Sequence, residues 1–306
     1  MPRFAIVANS KAGGCQAASK AQVVHDLLRQ HGAFSRLYCT SSHADLQHLV
    51  KLALQENTVE FQEPPCIVVC GGDGSIQEVV NCLLSDSAGE AVVGLAPAGT
   101  CNDFASALGI HSDPMQIAEV LLHGQVRRID LGLAGNRYFC TIATVGFEST
   151  VNRYLKYFSN LSPSRWMFVA AAFVALLIHR SIWARVVIDG EAVELDMLSL
   201  IVANTACYGG RIRIAPAADP HDGNFQVGMF ANRPILQKYS LLRAALDGQH
   251  LRHPGVIFKP AVQATISTKR PTQVWADGEL IGSTPVDMTL IPGALGIIVP
   301  AETSFQ

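Results

Sequence analysis

Long apolar runs, charged residues and paired cysteines are all scarce in this sequence of 306 residues. The longest uninterrupted apolar run, 166–178, has thirteen residues, whereas a helix that spans a bilayer needs about 20. No transmembrane segment is therefore predicted. Charged residues make up only 16% of the chain and the net charge is −2, which gives no basic footprint for nucleic acid. The eight cysteines form no CxxC pair and no metal-ligand spacing, so we expect buried, reduced thiols.

The first residues do not show the pattern of a signal peptide. They enter an apolar, strand-like run directly, without a basic region, a long apolar core and a cleavage site. Hydrophobic residues nevertheless amount to 49% of the chain and the mean hydropathy is +0.25. We expect a cytoplasmic protein with large buried cores.

The length allows two domains of ordinary size. Strand-like runs alternate with helical patterns as far as residue 125, which predicts a parallel sheet with ligand loops at the carboxyl ends of its strands. Beyond that point short strands dominate, interrupted by one helix at 234–246. We expect an α/β nucleotide-binding domain at 1–125 and a mainly antiparallel β-sandwich domain at 126–306. The last strand is a candidate to return to the first domain.

Four local predictions can be checked directly against a structure. A second helix is expected over 44–55 and a third over 76–84. Gly135-Asn136 predicts a hairpin that joins strands 126–134 and 137–145, and Asp189-Gly190 predicts another that joins 183–188 and 192–195.

The most informative stretch is Cys70–Ser75, CysGlyGlyAspGlySer, between a β-branched run and an amphipathic segment. Its three glycines let a ligand approach the backbone, and the helix that follows directs its positive dipole end at the same place. A phosphate fits such a turn. Asp73 would repel it unless a divalent cation or a transferable proton lies between them. The stretch predicts metal-assisted phosphate chemistry.

The segment 151–180 mixes aromatic and basic residues, from Tyr154 to Arg180. This pattern suits a membrane surface or an acyl-chain groove. An apolar helix buried in the core of the second domain is the other interpretation, and the residues alone leave both open.

Two Asp-Gly-Glu triplets, 189–191 and 277–279, are each candidates for a general base or for a plain hairpin turn. Asp222-Gly223 likewise suits a metal loop or an ordinary turn.

The motifs together resemble one family. Gly71–Ser75 with Glu78 and Asn81, then 97–105 with the pattern PxGTxNDFA, then Asp277-Gly278-Glu279, is similar to the diacylglycerol kinase catalytic family, which includes bacterial lipid kinases and sphingosine-type kinases. Asp130-Leu131-Gly132 and 292–295 extend the resemblance over nearly the whole chain.

The resemblance implies an ATP-dependent lipid kinase that uses Mg²⁺ and works at the membrane surface on a lipid such as diacylglycerol. It implies Glu279 as the general base and Asp73 as a second catalytic residue. A structural magnesium ion would be held by Asp222 with the backbone at Asn224 and Asp219, and Asp103 and Asp130 would join the water network that leads from it. The residues implied for the nucleotide are Asn9, Ser10, Lys11, Ala12, Gly13, Thr40, Gly71, Gly72, Asp73, Gly74, Ser75, Ile76, Gln77 and Thr100.

Two departures from the family pattern are Ser10, where Pro is usual, and Ser75, where Thr is usual. The alternatives to a lipid kinase are an NAD-kinase-like or other soluble-substrate kinase, and a non-catalytic lipid-binding module. We expect no nucleic-acid partner, and a homodimer is among the expected assemblies.

Overall fold

The computed structural model describes residues 2–10, 12–40, 42, 45–61, 65–85, 91–157, 165–210 and 212–301. Contacts between Cα atoms divide the chain into two compact units. Unit 1 comprises 1–129 together with 293–306, and unit 2 comprises 130–292.

Unit 1 is a parallel sheet between helices. Its strand order is β2-β1-β3-β4, and the end of the last strand of the chain adds to β4 in parallel, with Gly296 opposite Val92. Strands β1, β3 and β4 are buried on both faces, which explains their nearly continuous apolar sequences, whereas the edge strand β2 is largely half-exposed. The elements are β1 (Arg3–Asn9), α1 (Ala12–Gln30), β2 (Phe34–Thr40), α2 (Leu46–Phe61), β3 (Cys66–Gly71), α3 (Asp73–Ser85), β4 (Val92–Pro97), α4 (Asp103–Ala107) and α5 (Pro114–His123).

Helix boundaries in unit 1 follow local chemistry. Helix α5 begins after Asp113, whose carboxylate accepts the backbone N–H groups of Met115 and Gln116, as an N-cap does. Helix α2 runs to Phe61, six residues beyond the predicted end, because no Gly or Pro occurs before Pro64. Helix α3 begins at Asp73 and not at 76, since Ile76 N–H already bonds to the Gly72 carbonyl.

Unit 2 is built from antiparallel strands. The order β14-β13-β7-β9-β8-β12-β15 is joined by β10, which pairs with β9 and β11. Its elements, with the two strands that continue into unit 1, are β5 (Gln125–Ala134), β6 (Arg137–Phe139), β7 (Ile142–Gly146), α6 (Phe147–Tyr157), α7 (Arg165–Ile178), β8 (Ile182–Ile188), β9 (Glu191–Ala203), β10 (Phe225–Ala231), α8 (Ile235–Leu246), β11 (Val256–Ala261), β12 (Gln263–Thr268), β13 (Gln273–Ala276), β14 (Glu279–Ser283) and β15 (Val286–Val299).

Strand β9 lies at the centre of unit 2. Leu200 and Val202 pack into one apolar cluster, while Ile201 and Ala203 pack into another that also holds Leu176 of α7. Both faces of this strand are therefore buried. The parallel order in unit 1 and the antiparallel ladders in unit 2 confirm the predicted fold class.

One predicted hairpin is wrong in part. Strand β5 pairs with β6 over only three residues, 137–139, and β7 turns away to pair with β9 and β13. The break at Cys140 and Thr141 has a clear cause, because both backbone N–H groups donate to the Asp277 carboxylate. The hairpin around Asp189-Gly190 is confirmed, with Ile188 opposite Glu191.

The cysteines follow the prediction only in part. Cys70, Cys82 and Cys140 are buried, but Cys39 and Cys101 are exposed. Burial raises the pKa of the Cys66 and Cys70 thiols to about 12, so these two remain protonated at neutral pH.

Candidate functional site

Glycine backbones line the loops that follow β1, β3 and β4 in unit 1. A Cβ atom on Gly99 would lie 2.5 Å from the Cα of Gly72, and one on Gly13 would lie 1.9 Å from the carbonyl oxygen of Ala98. Such distances exclude any side chain at these positions. The three loops therefore meet backbone to backbone at the carboxyl ends of the strands, where parallel sheets bind ligands.

The loop after β4 has an internal clamp. The Gly99 N–H donates to Oδ1 of Asn102 at 2.8 Å, and Nδ2 of Asn102 donates back to the Gly99 carbonyl at 2.9 Å. Asn102 adopts a left-handed conformation, with φ of 53°, which Asn tolerates better than most residues. The exposed Thr100 is thereby held at the tip of a fixed turn.

Asp73 occupies the first turn of α3 and also caps α4. Its two carboxylate oxygens accept the backbone N–H groups of Asp103 at 3.2 Å and Phe104 at 3.1 Å. Burial raises the pKa of Asp73, and these backbone hydrogen bonds oppose that rise. The carboxylate of Asp73 therefore holds the start of α4 against the start of α3.

The other residues implied for the nucleotide occupy different environments. The Ser10 N–H donates to the Thr40 carbonyl at 2.7 Å, which joins the ends of β1 and β2. Ser75, Ile76 and Gln77 have buried side chains, between 0% and 3% exposed, so only their backbone is available to a ligand. Lys11 lies outside the described residues.

Lys20 fixes the loop after β4, and no sequence motif marks it. Its Nζ donates to the carbonyls of Pro97 at 2.7 Å and Ser112 at 2.8 Å, so it fixes the end of β4 to α1. Burial lowers its pKa. The only signal in the sequence was a lysine on an otherwise amphipathic helix.

Both Asp-Gly-Glu triplets form the same turn in unit 2. The φ angles are 46° and 90° at Asp189-Gly190, and 49° and 86° at Asp277-Gly278, as a two-residue hairpin with positive φ at both positions requires.

The two triplets differ in what surrounds them. Asp277 is buried and accepts hydrogen bonds from the backbone of residues 140–142 and from Thr141 Oγ1. Glu279, the first residue of β14, is exposed and has no ion-pair partner among the described residues. Glu191 forms an exposed ion pair with Lys259 at 3.1 Å.

The residues implied for magnesium share one loop of unit 2. Asp222 accepts the Asn224 N–H at 2.8 Å, Asp130 accepts the Gly223 N–H at 2.9 Å, and Asp219 bonds to His221. Burial raises the pKa of Asp222, and the negative charges of Asp219 and Asp130 raise it further. A cation would relieve this repulsion, so the loop fits Mg²⁺ in charge.

The side chains of this loop do not supply a complete set of metal ligands by themselves. In the part of the chain that the structure describes, no three His, Cys, Asp or Glu side chains gather closely enough to hold an ion. Magnesium commonly keeps several waters and takes only one or two carboxylates, so its site here would rely on water and backbone oxygens.

An apolar pocket with a cavity volume of about 110 Å³ opens in unit 2 between α6, α7, α8 and β9. Twelve of its sixteen lining residues are hydrophobic, and the four others are Glu148, Ser199, Tyr208 and Lys238. No local sequence pattern predicts this pocket, because its walls come from helices and strands up to a hundred residues apart.

The segment 151–180 is both core and surface. Ala171, Ala172 and Ala175 on α7 are buried, whereas Phe173 and Leu177 are 45% and 61% exposed. The side chains of Trp166 and Phe168 lie outside the described residues. None of the helices in the described ranges is long and apolar enough to cross a membrane.

The fold and these sites define a two-part protein, with a nucleotide-type α/β unit and a β-rich unit that contains an apolar pocket. Two family models match it. The diacylglycerol kinase catalytic domain matches residues 3–134, and the YegS C-terminal NAD kinase beta sandwich-like domain matches residues 141–299.

Individual relatives agree with the family models. A curated protein named Diacylglycerol kinase from Staphylococcus aureus (strain bovine RF122 / ET3-1) is 26% identical over 277 residues, which are 90% of this chain and 85% of the relative. A protein of the same name from Staphylococcus haemolyticus (strain JCSC1435) is 26% identical over 77% of this chain and 71% of its own length.

A crystal structure described as a diacylglycerol kinase from Bacillus anthracis str. Sterne superimposes with a TM-score of 0.70 and 19% identity, and covers 97% of this chain and 96% of its own. This likeness shows the fold. The chain belongs to the diacylglycerol kinase catalytic family. It is a kinase that transfers a phosphoryl group to an alcohol group.

Proposed function

We propose that this chain phosphorylates a hydroxyl group of a membrane lipid such as diacylglycerol, with ATP as the donor and Mg²⁺ as the metal ion. The observation that carries the lipid is the pocket in unit 2, twelve of whose sixteen lining residues are hydrophobic. An aliphatic chain buries its surface there favourably, at roughly 25 cal/mol per Å², whereas a sugar or a nucleotide would lose hydrogen bonds to water.

The loops of unit 1 support ATP. The backbones at Gly13, Gly72 and Gly99 come together without side chains, and α3 begins within the same cluster at Asp73. Phosphate oxygens are bound well by closely approaching backbone N–H groups at a helix N-terminus. The remaining nucleotide contacts in this proposal come from Asn9 to Gly13, Thr40, the loop 71–77 and Thr100.

Glu279 acts in this proposal as the general base that takes the proton from the acceptor hydroxyl. It is exposed, and no described cation neutralises it, so its carboxylate is available to a substrate proton. Asp73 holds the loop 102–104 in place through α4 and adds negative charge on the cation side of the phosphates.

Magnesium is assigned to the loop of Asp219, Asp222 and Asn224, with Asp130 beside it. As a structural ion it would offset the negative charge of the carboxylates in this loop and fix their positions. Burial raises the pKa of Asp222, and the nearby charges of Asp219 and Asp130 add to that rise, which supports a cation at this loop.

Two helices of unit 2 support docking at a membrane surface. Helices α7 and α8 contain no acidic residue, and Phe173 and Tyr239 stack edge to face across them at 6.3 Å. The same helices form walls of the apolar pocket through Leu176 and Leu241. Exposed apolar side chains on these helices are Phe173, Leu177, Ile178, Ile235, Leu236 and Tyr239, between 45% and 80% exposed. A peripheral protein at the cytoplasmic face of a membrane accounts for this surface.

The test is phosphoryl transfer from γ-labelled ATP, with Mg²⁺, to a panel of lipids in mixed micelles. The panel contains diacylglycerol, phosphatidylglycerol and a sphingoid base, beside NAD and a sugar as soluble acceptors. We expect labelled lipid, no labelled soluble product, and loss of transfer with EDTA. Label in a soluble acceptor alone would reject the lipid kinase. Gel filtration of the same protein tests the expected homodimer.

An NAD-kinase-like activity is the second candidate, favoured by one observation. The model that matches residues 141–299 is described as an NAD kinase beta sandwich-like domain. The panel separates the two candidates, since only one of them labels NAD.

A further inference from the structure

Glu148 is a half-buried residue whose carboxyl group the proposed phosphoryl transfer does not use. It lies in the first turn of α6 and lines the apolar pocket of unit 2. Its Oε2 accepts the hydroxyl proton of Ser199, a buried residue of β9, at 2.5 Å. No cation pairs with it in the described parts of the chain. An ionised carboxylate without a cation is costly in such a pocket, and protonation lowers this cost.

The protonation state of this group follows from its surroundings. Burial raises the pKa of Glu148 to about 7, while the hydrogen bond from Ser199 and the residue's own N–H oppose the rise. A substantial fraction is therefore neutral at physiological pH and offers an O–H donor. The proton of Ser199 is already directed at Glu148, so this hydroxyl does not donate to a ligand in the same arrangement.

The other titratable groups around α6 are few. Tyr208 and Lys238, from a loop and from α8, line the same pocket. His179 follows α7 and bonds to Thr150 of α6. Asp277 follows β13, and its carboxylate accepts hydrogen bonds from the backbone N–H groups of residues 140–142.

A lipid that enters this pocket by an acyl chain brings one obligatory polar group with it. The ester carbonyl adjoins the chain, accepts hydrogen bonds and donates none. Burying it without a donor is unfavourable, and Glu148 is one of four polar residues that line the pocket, the others being Ser199, Tyr208 and Lys238.

We propose, on the basis of the lipid kinase function above, that Glu148, positioned by Ser199, donates a hydrogen bond to the ester carbonyl of the bound acyl chain. Glu148 is then a specificity residue, by which the enzyme selects ester-linked acylglycerols over lipids whose chains are ether-linked. An ammonium lipid such as a sphingoid base is the wrong class, since it needs an ionised carboxylate.

The test compares dioleoylglycerol with its dioleyl ether analogue in mixed micelles, for the wild type, Glu148→Gln and Glu148→Leu. One hydrogen bond to a buried carbonyl corresponds to roughly tenfold, so we expect the wild type to prefer the ester about tenfold in kcat/KM. Glu148→Gln keeps a donor and should keep the preference, whereas Glu148→Leu should lose it. Lys238→Met is the matched control, because it removes the other charged group in the pocket, and the preference should remain.

The pH dependence gives a second readout. The KM of the wild type for the ester should rise above about pH 7, where Glu148 ionises, and that of Glu148→Gln should stay flat. A Glu148→Leu protein that is folded by circular dichroism and still prefers the ester would overturn the inference. So would a wild-type preference for a sphingoid base that disappears in Glu148→Leu.

Binding without ATP separates this inference from the proposed function. Calorimetry with monooleoylglycerol and its ether analogue measures the pocket alone. If the ester binds more tightly in a way that depends on Glu148, but no lipid is labelled, the lipid kinase function is rejected and the role of Glu148 in ester binding is retained. Lipid phosphorylation that is identical in all three proteins, with identical binding, would reject the inference and retain the kinase.

Discussion

Replacing Glu148 should change how the stability of unit 2 depends on pH. The pKa of a glutamate rises here from 4.5 to about 7, so the folded state binds this proton more tightly than the unfolded state does. The contribution of Glu148 to the free energy of unfolding is therefore fully present at low pH and is lost as the pH rises from about 4.5 to about 7. Each unit of pKa difference corresponds to ~1.4 kcal/mol, which gives about 3 kcal/mol over the whole interval.

Glu148→Gln removes the titration while keeping the shape of the side chain. Urea denaturation at pH 5, 6, 7 and 8, followed by the fluorescence of Trp183 and Trp275 in unit 2, measures the free energy of unfolding. The variant should gain up to about 3 kcal/mol relative to the wild type between pH 5 and pH 8. Glu191→Gln is the control, because its carboxylate is exposed and should leave the pH dependence unchanged. Parallel stability curves for wild type and Glu148→Gln would show that this carboxyl group is not held in its neutral form, and the argument for a hydrogen-bond donor would fall with it.

Three further predictions concern catalysis and docking. Glu279→Gln should lower the lipid kinase rate roughly 10²–10⁴-fold, as loss of a general base does, while Glu191→Gln stays within about twofold, both measured under saturating ATP. Asp73→Asn should leave less than about a tenth of the wild-type turnover and also lower Tm, because an amide nitrogen replaces one of the two oxygens that cap α4. Leu236→Ser should reduce sedimentation with anionic vesicles and leave the KM for ATP unchanged. Met115→Ser replaces a similarly exposed apolar residue of unit 1 and should not reduce sedimentation. Equal loss of sedimentation in both variants would contradict docking through α8.

The parallel sheet of unit 1 could be predicted because its signals are local. A β-branched run, a glycine loop and an amphipathic helix follow each other several times before residue 125. The start of α3 was placed three residues late, since Gly74 and Ser75 read as turn residues. In the structure they form the first helical turn, because Gly72 already accepts the N–H of Ile76.

The division of the predicted strand 137–145 could not be found in this way. Its residues alternate well enough for one strand, and Cys140 and Thr141 leave the ladder only because Asp277, more than 130 residues away, accepts their N–H groups. The pocket escaped prediction for the same reason. Glu148 and Ser199 are 51 residues apart, and neither has a neighbour in sequence that marks it as part of a pair.

The two Asp-Gly-Glu turns show where local reasoning ends. Their φ angles agree within a few degrees, and in both the aspartate carboxylate accepts backbone N–H groups from another segment, at Val262 and Gln263 for Asp189 and at 140–142 for Asp277. In both places the Asp-Gly pair therefore forms the hairpin turn, and the aspartate binds a second segment. These structural roles explain the sequence of both turns. Whatever distinguishes the glutamates lies outside the tripeptide: Glu191 forms an ion pair with Lys259 on β11, whereas Glu279 is exposed and has no ion-pair partner among the described residues. If Glu191→Gln proved the damaging change, an ion pair would have to be part of the base, and the assignment of Glu279 would be wrong.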